Sequence, residues 1–132
     1  MDLIIGQLAE AEAALATLDD AVARAAGSLI ERDSAIFRLI YTFAAVWKAC
    51  SDLLAEREGI GVAAPNAAIR AARRLRWLSD EDAEAAMQAG RDRDLAFEMY
   101  RAGVGDEIAS RLTSHAAVLR RWLDALRAHA AD

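Results

Sequence analysis

An all-α fold, an up-and-down antiparallel four-helix bundle with an additional short helix, is what this sequence predicts, on three observations. About a quarter of the 132 residues are Ala and only one is Pro; Ala loses least on entering a helix and Pro most. Apolar residues recur at alternating spacings of three and four, the period of a helix with one buried face. Glycines gather in short breaks at Gly27, at Gly59 and Gly61, and at Gly103 and Gly105. With 55% hydrophobic residues, the chain fits one helical-bundle domain over residues 1–132 with a core of ordinary size.

The first helix is expected from about Asp2 to Ala25, because Ile4, Leu8, Ala11, Leu15, Leu18, Val22 and Ala25 form a seam and Gly27-Ser28 supplies a stop. The second, from Asp33 to Glu56, carries the strongest pattern: Ile36, Leu39, Phe43, Val46, Cys50 and Leu53 on one seam, widened by Ile40, Trp47 and Leu54. A helix of that length is a central post. Glu58 to Val62 reads as a loop, and Pro65 suits the first turn of a short helix ending near Leu75. Ser79, with Asp82 three residues on, reads as the cap of the fourth helix, a long one running to about Tyr100. The last helix is expected from Asp106 to Ala128, with Ile108, Leu112, His115, Leu119, Trp122 and Leu126 on its seam.

Charge narrows the function classes. A net charge of -5 argues against non-specific coating of nucleic acid, which needs an excess of cations. The N-terminal stretch carries acids where a signal peptide carries bases, and no run reaches 18 apolar residues, so an unanchored, cytoplasmic protein with no membrane partner is expected. Cys50 stands alone and reads as a small buried hydrophobe rather than a nucleophile. His115 and His129 lie roughly 21 Å apart along one helix, too far to share a metal, so no metal site is expected. His115 reads instead as a bundle-facing histidine with a hydrogen-bond partner. No glycine-rich phosphate loop follows a strand, and no cofactor is implied.

Two stretches offer chemistry. Arg70, Arg73 and Arg74 share one helix face, where guanidinium forks suit a phosphate of a nucleotide or RNA; the simpler reading is a solvent face balanced by Asp80, Glu81, Asp82 and Glu84. In the fourth helix, Met87, Gly90, Asp94 and Glu98 lie along one face, where charge either enters a groove between helices or, the simpler reading, stays on a solvated face crossed by local ion pairs.

The segment RDSAIFRLIYTFAAVWKAC, Arg32 to Cys50, resembles the signature helix of the nucleotidyltransferase substrate-binding proteins, small members of the HEPN superfamily. Arg32, Asp33, Ile36, Arg38, Phe43, Trp47 and Lys48 match its R-D-x-x-I-x-R, T/Y-F and W-K positions. APNAAIRAARRLRWLSDED is similar to the family's S-P-x-x-V-I-R-x-A segment at Pro65, Ile69, Arg70 and Ala72. Its R-N-x-x-x-H-x-Y motif falls on Arg93, Asp94, Glu98 and Tyr100, with Asp94 for the Asn and Glu98 for the His.

The resemblance implies a dimerising bundle encoded beside a minimal nucleotidyltransferase, which supplies the catalytic carboxylates. In active members the motif's Arg and His cleave RNA without metal, and its Tyr receives adenylyl groups from the partner. A carboxylate at position 98 repels a scissile phosphate and lacks the exchangeable proton of a histidine at neutral pH. The leading expectation is therefore a non-catalytic homodimeric subunit in a toxin–antitoxin-like two-gene system. It pairs with the nucleotidyltransferase and helps bind its substrate, with Arg70, Arg73, Arg74 and Arg93 as phosphate contacts. One alternative is a metal-independent ribonuclease toxin controlled at Tyr100; another is a helical interaction module with a decayed site.

Overall fold

Ser28 opens the longest helix: its hydroxyl accepts the backbone N–H of Glu31 at 3.1 Å, and Gly59, at φ +67°, closes it in the left-handed conformation. In this computed structural model, which describes residues 2–132, the helices are α1 (Asp2–Arg24), α2 (Leu29–Glu58), α3 (Pro65–Arg74), α4 (Asp80–Leu95), α5 (Val104–Ala109) and α6 (Leu112–Ala130). A single 3-10 turn, Ala96–Glu98, follows α4. Among the described residues there is no strand, and no helix is long and apolar enough to cross a membrane. α2 packs against each of the other five helices, so the predicted central post is observed, four residues longer at its start because Ser28 caps it.

The predicted seams are the core. Ile36, Leu39, Phe43, Val46, Cys50 and Leu53 of α2 are fully buried against Ile4, Leu8, Ala11, Leu15 and Leu18 of α1 and Leu112, Leu119, Trp122 and Leu126 of α6. Trp122 is 0% exposed and meets Phe43 edge to face, with ring centroids 6.1 Å apart. Ile40 and Trp47, both expected to widen the seam, are only half-buried. A Cβ on Gly90 would stand 3.1 Å from Phe43 Cζ, so glycine at that position lets α4 approach α2 closely enough to cover the ring.

Two expected boundaries move. The fourth helix ends at Leu95 rather than near Tyr100, where the chain tightens into the 3-10 turn; Ala96 and Met99 face the core while Phe97 and Tyr100 face solvent. The expected last helix from Asp106 is two helices, α5 and α6, so the bundle carries two short helices rather than one. No Gly or Pro marks that break. Ser110 donates its hydroxyl to Glu107 O at 2.6 Å, and Arg111 sits at φ -112°, ψ 1°, outside the helical region.

Arg111 leaves the helical line to reach Asp92. Its Nε and Nη2 donate to Asp92 Oδ2 and Oδ1 at 2.7 and 2.8 Å, a bidentate pair, and His115 Nε2 lies 2.6 Å from Oδ2. Asp92 is 1% exposed and His115 2%. The polar partner expected for His115 is this carboxylate, and the three side chains tie α4 to the start of α6. Elsewhere Arg120 holds Glu12 of α1 by two bonds of 3.0 and 2.8 Å, and Arg57 donates to the C-terminal carbonyls of His129 and Ala130. Arg32 of α2 reaches Asp106 of α5 at 2.9 Å, its guanidinium lying flat on Gly105, where a Cβ would be 2.6 Å away.

Burial raises the pKa of the Asp92 carboxyl, but the Arg111 and His115 hydrogen bonds and charges outweigh it and hold it below the ordinary value of 3.8. A carboxyl with a lowered folded pKa stabilises the fold fully above its unfolded pKa and loses that stabilisation as pH falls through the folded one. Glu12, whose bond from Arg120 likewise lowers its pKa, adds to the same trend. Stability to urea should therefore hold from about pH 7 to pH 5 and fall below about pH 4; in Asp92→Asn that fall should be shallower. Arg111→Ala, which strands a buried carboxylate, should cost about 2–3 kcal/mol at neutral pH, less than for a fully buried pair because Arg111 is a third exposed. Trp122→Ala should cost about 3–5 kcal/mol by chemical denaturation, and Trp47→Ala clearly less.

Candidate functional site

The residues singled out by the family motif lie at the C-terminal end of α4. Arg93 is on its last turn, its guanidinium carbon 5.2 Å from the Phe43 ring centroid and its Nε and Nη2 3.2 and 2.8 Å from Asp94 Oδ1. The ring beneath and the carboxylate beside it leave the side chain 25% exposed. With Ala64, Pro65, Asn66 and Gly90, Arg93 and Asp94 line a recess of about 130 Å³. α3 begins at this recess with Pro65 in its first turn, no side-chain cap and no acid in that turn, so the wall opposite Arg93 also carries partial positive charge. The recess is smaller than the few hundred Å³ of a whole-ligand pocket and matches a single phosphate or carboxylate group.

Glu98 does not join Arg93. It lies beyond the end of α4, in the 3-10 turn, and pairs with Arg101 at 2.7 Å. Tyr100 stands 85% exposed, with its hydroxyl free of any partner among the described residues. The four motif positions are therefore near in sequence but split between a recess, which takes Arg93 and Asp94, and an exposed turn, which takes Glu98 and Tyr100.

Of the two readings of the face through Met87, Gly90, Asp94 and Glu98, the solvated one with local ion pairs describes its charges: Asp94 pairs with Arg93 and Glu98 with Arg101. Met87 is half-buried, Gly90 buried, Asp94 exposed and Glu98 outside the helix. The charge that enters is Asp92, on the stripe continued from the buried Ala83, Ala86 and Ala89. That three-residue stripe of alanines, together with a histidine on the seam of the last helix, was the available signal.

Arg70, Arg73 and Arg74 lie on the exposed face of α3, away from the Arg93 recess. The expected balance by the acids of residues 80–84 reaches only Arg73, 3.6 Å from Asp80; Asp82 pairs with Arg121 and Glu84 with Arg91. Cys50 is sealed in the core, where burial pushes its thiol up to about 12, out of the range of a nucleophile at neutral pH. His129 stacks on Trp77 with centroids 4.9 Å apart and lies 3.6 Å from Asp132, while His115 is committed to Asp92.

The fold and parts of the sequence are shared with known proteins. A crystal structure from Thermus thermophilus is 40% identical, covering 89% of this chain and 98% of that one with a TM-score of 0.84. A second solved structure, described as a toxin–antitoxin with AMP-PNP, is 12% identical and superposes over 96% of this chain and 98% of that one with a TM-score of 0.70, a likeness of fold. No curated protein matches the sequence. The model of the family described as nucleotidyltransferase substrate binding protein like matches residues 6–128, nearly the whole bundle, and the chain belongs to that family.

Proposed function

We propose that this chain is a non-catalytic HEPN-type subunit, homodimeric, that pairs with a minimal nucleotidyltransferase and helps hold its substrate in a two-gene, toxin–antitoxin-like system. The observation that carries this reading is that Arg93 has no acid–base partner. General acid–base cleavage of RNA needs a proton carrier within hydrogen-bond reach of the reacting atoms. Glu98, at the motif's histidine position, is turned to Arg101, and both histidines have other partners. What remains is a small recess with one half-buried guanidinium whose carboxylate partner, Asp94, is largely exposed and free to swing aside, so that Arg93 can exchange it for an anionic group of a substrate whose chemistry is done elsewhere. The family's description, and at the level of fold the toxin–antitoxin neighbour, support the same role.

Co-expression with the product of the adjacent reading frame, followed by affinity purification and light scattering, tests this directly. A stable complex containing two copies of this chain is expected, and absence of association at micromolar concentration would sink the reading. Within such a complex, Arg93→Ala should weaken substrate binding roughly ten-fold, the worth of one charge-assisted contact, without dissociating the subunits.

The exposure of Tyr100 favours a second reading, a ribonuclease toxin silenced by adenylylation at that hydroxyl. It requires growth arrest on expression of this chain alone, loss of arrest in Arg93→Ala, and a mass increase on the partner's action that Tyr100→Phe abolishes. An inert wild type removes it.

A further inference from the structure

Arginine is the main cation of this chain, fifteen residues against one lysine. Twelve of the fifteen reach an acceptor among the described residues, either a side-chain oxygen or a backbone carbonyl. The three that reach none are Arg70, Arg74 and Arg76; Arg70 and Arg74 lie on the last turns of α3 and Arg76 two residues past its end. In a protein with five more acids than bases, unpaired guanidiniums have had many carboxylates to choose from; their gathering at one place needs a reason.

The attraction of cations to a helix C-terminus accounts for bases in the last turn, Arg73 and Arg74. It does not account for Arg76. Trp77 N–H bonds Ala72 O at 2.9 Å and Arg76 N–H bonds Arg73 O at 3.1 Å, the pair of reversed bonds that closes a helix through one left-handed residue. Arg76 is that residue, at φ +63°, the one non-glycine with positive φ among the described residues. Glycine serves such a turn without the clash of a Cβ, so closing the helix does not call for an Arg there and the side chain comes at a backbone cost.

We propose that Arg70, Arg74 and Arg76 form a docking surface for an acidic, carboxylate-bearing face of a partner protein. The class of partner follows from what surrounds the cluster. Single-stranded nucleic acid binds through aromatic platforms as well as charge, and the one aromatic here, Trp77, is buried and stacked on His129. The exposed large apolar side chains lie elsewhere, at Leu3, Ile5, Leu29, Ile30, Phe37, Phe97 and Tyr100. Asp80 and Glu81 sit exposed beside the arginines, a mixed rim that repels the dense charge of a phosphate backbone and matches the mixed charges of a protein surface. The proposal goes beyond the nucleotidyltransferase reading and does not rest on it, since any acidic face of matching spacing satisfies it.

Fluorescence anisotropy of the full chain with labelled poly-L-glutamate of about 20 residues, and with single-stranded RNA of equal length, tests the surface without the adjacent gene product. Wild type should bind poly-glutamate more tightly than RNA at about 50 mM salt and lose most of that binding by about 200 mM. The triple variant Arg70→Gln, Arg74→Gln, Arg76→Gln should bind poly-glutamate at least about ten-fold more weakly with an unchanged thermal midpoint. The double variant Arg91→Gln, Arg101→Gln, which removes exposed but paired guanidiniums, should change it less than about two-fold. Arg76→Gly alone should raise the thermal midpoint by about 2–5 °C while weakening binding. Undiminished binding in the triple variant overturns the proposal, as does an equal loss in the double variant. Tighter binding of RNA that disappears in the triple variant assigns the cluster to phosphate instead, and a lowered midpoint in Arg76→Gly removes the case for retained strain.

Discussion

The carboxylate of Asp92 is the fixed point of this bundle. A charge with 1% exposure survives in an apolar interior only if its lone pairs are filled, and Arg111 and His115 fill them from a neighbouring helix. That requirement explains an otherwise unmarked event in the backbone. The chain breaks helix between Ala109 and Leu112 so that Arg111 points into the bundle while α6 still presents Leu112, His115, Leu119 and Trp122 to the core. One ion pair thereby sets where α4 lies against α6.

The same stretch of α4 holds the recess, and the two are coupled through α2. Asp92 points inward and Arg93 sideways over Phe43, while Phe43 is pinned between Trp122 and Gly90. Arg93 therefore stands on a rigid floor rather than on a loop, and its guanidinium is oriented by a ring face and by the Asp94 carboxylate before any ligand arrives. Glu98 and Tyr100, past the end of the helix, are not held in this way. The division leaves Arg93 oriented by the fold and the turn that carries Glu98 and Tyr100 exposed.

Much of the fold was legible in sequence because its seams are clean. The run from Ile36 to Leu53 and the run from Ile108 to Leu126 are buried as their spacing implies, and Ser79 caps α4 through Asp82 N–H at 3.0 Å as the residue types suggest. The Ser28 cap escaped because Leu29 and Ile30, which follow it, are exposed apolar residues outside the seam pattern. The break at Arg111 escaped because tertiary ion pairing, not Gly or Pro, makes it. Within the site, residue types pointed to Arg93, yet its separation from Glu98 depends on a helix ending at Leu95, which periodicity does not mark.

The helical class, the central place of the second helix, the main seams of the first, second and last helices and the family were set at the level of sequence, since they follow from local periodicity and from residue types at given spacings. Which charges meet was settled only by the folded chain. Arg–carboxylate pairing acts between residues as far apart in the chain as Glu12 and Arg120 or Arg32 and Asp106, and nothing local selects one partner over another. For the same reason it took the three-dimensional arrangement to reveal that Arg70, Arg74 and Arg76 are left without partners among the described residues.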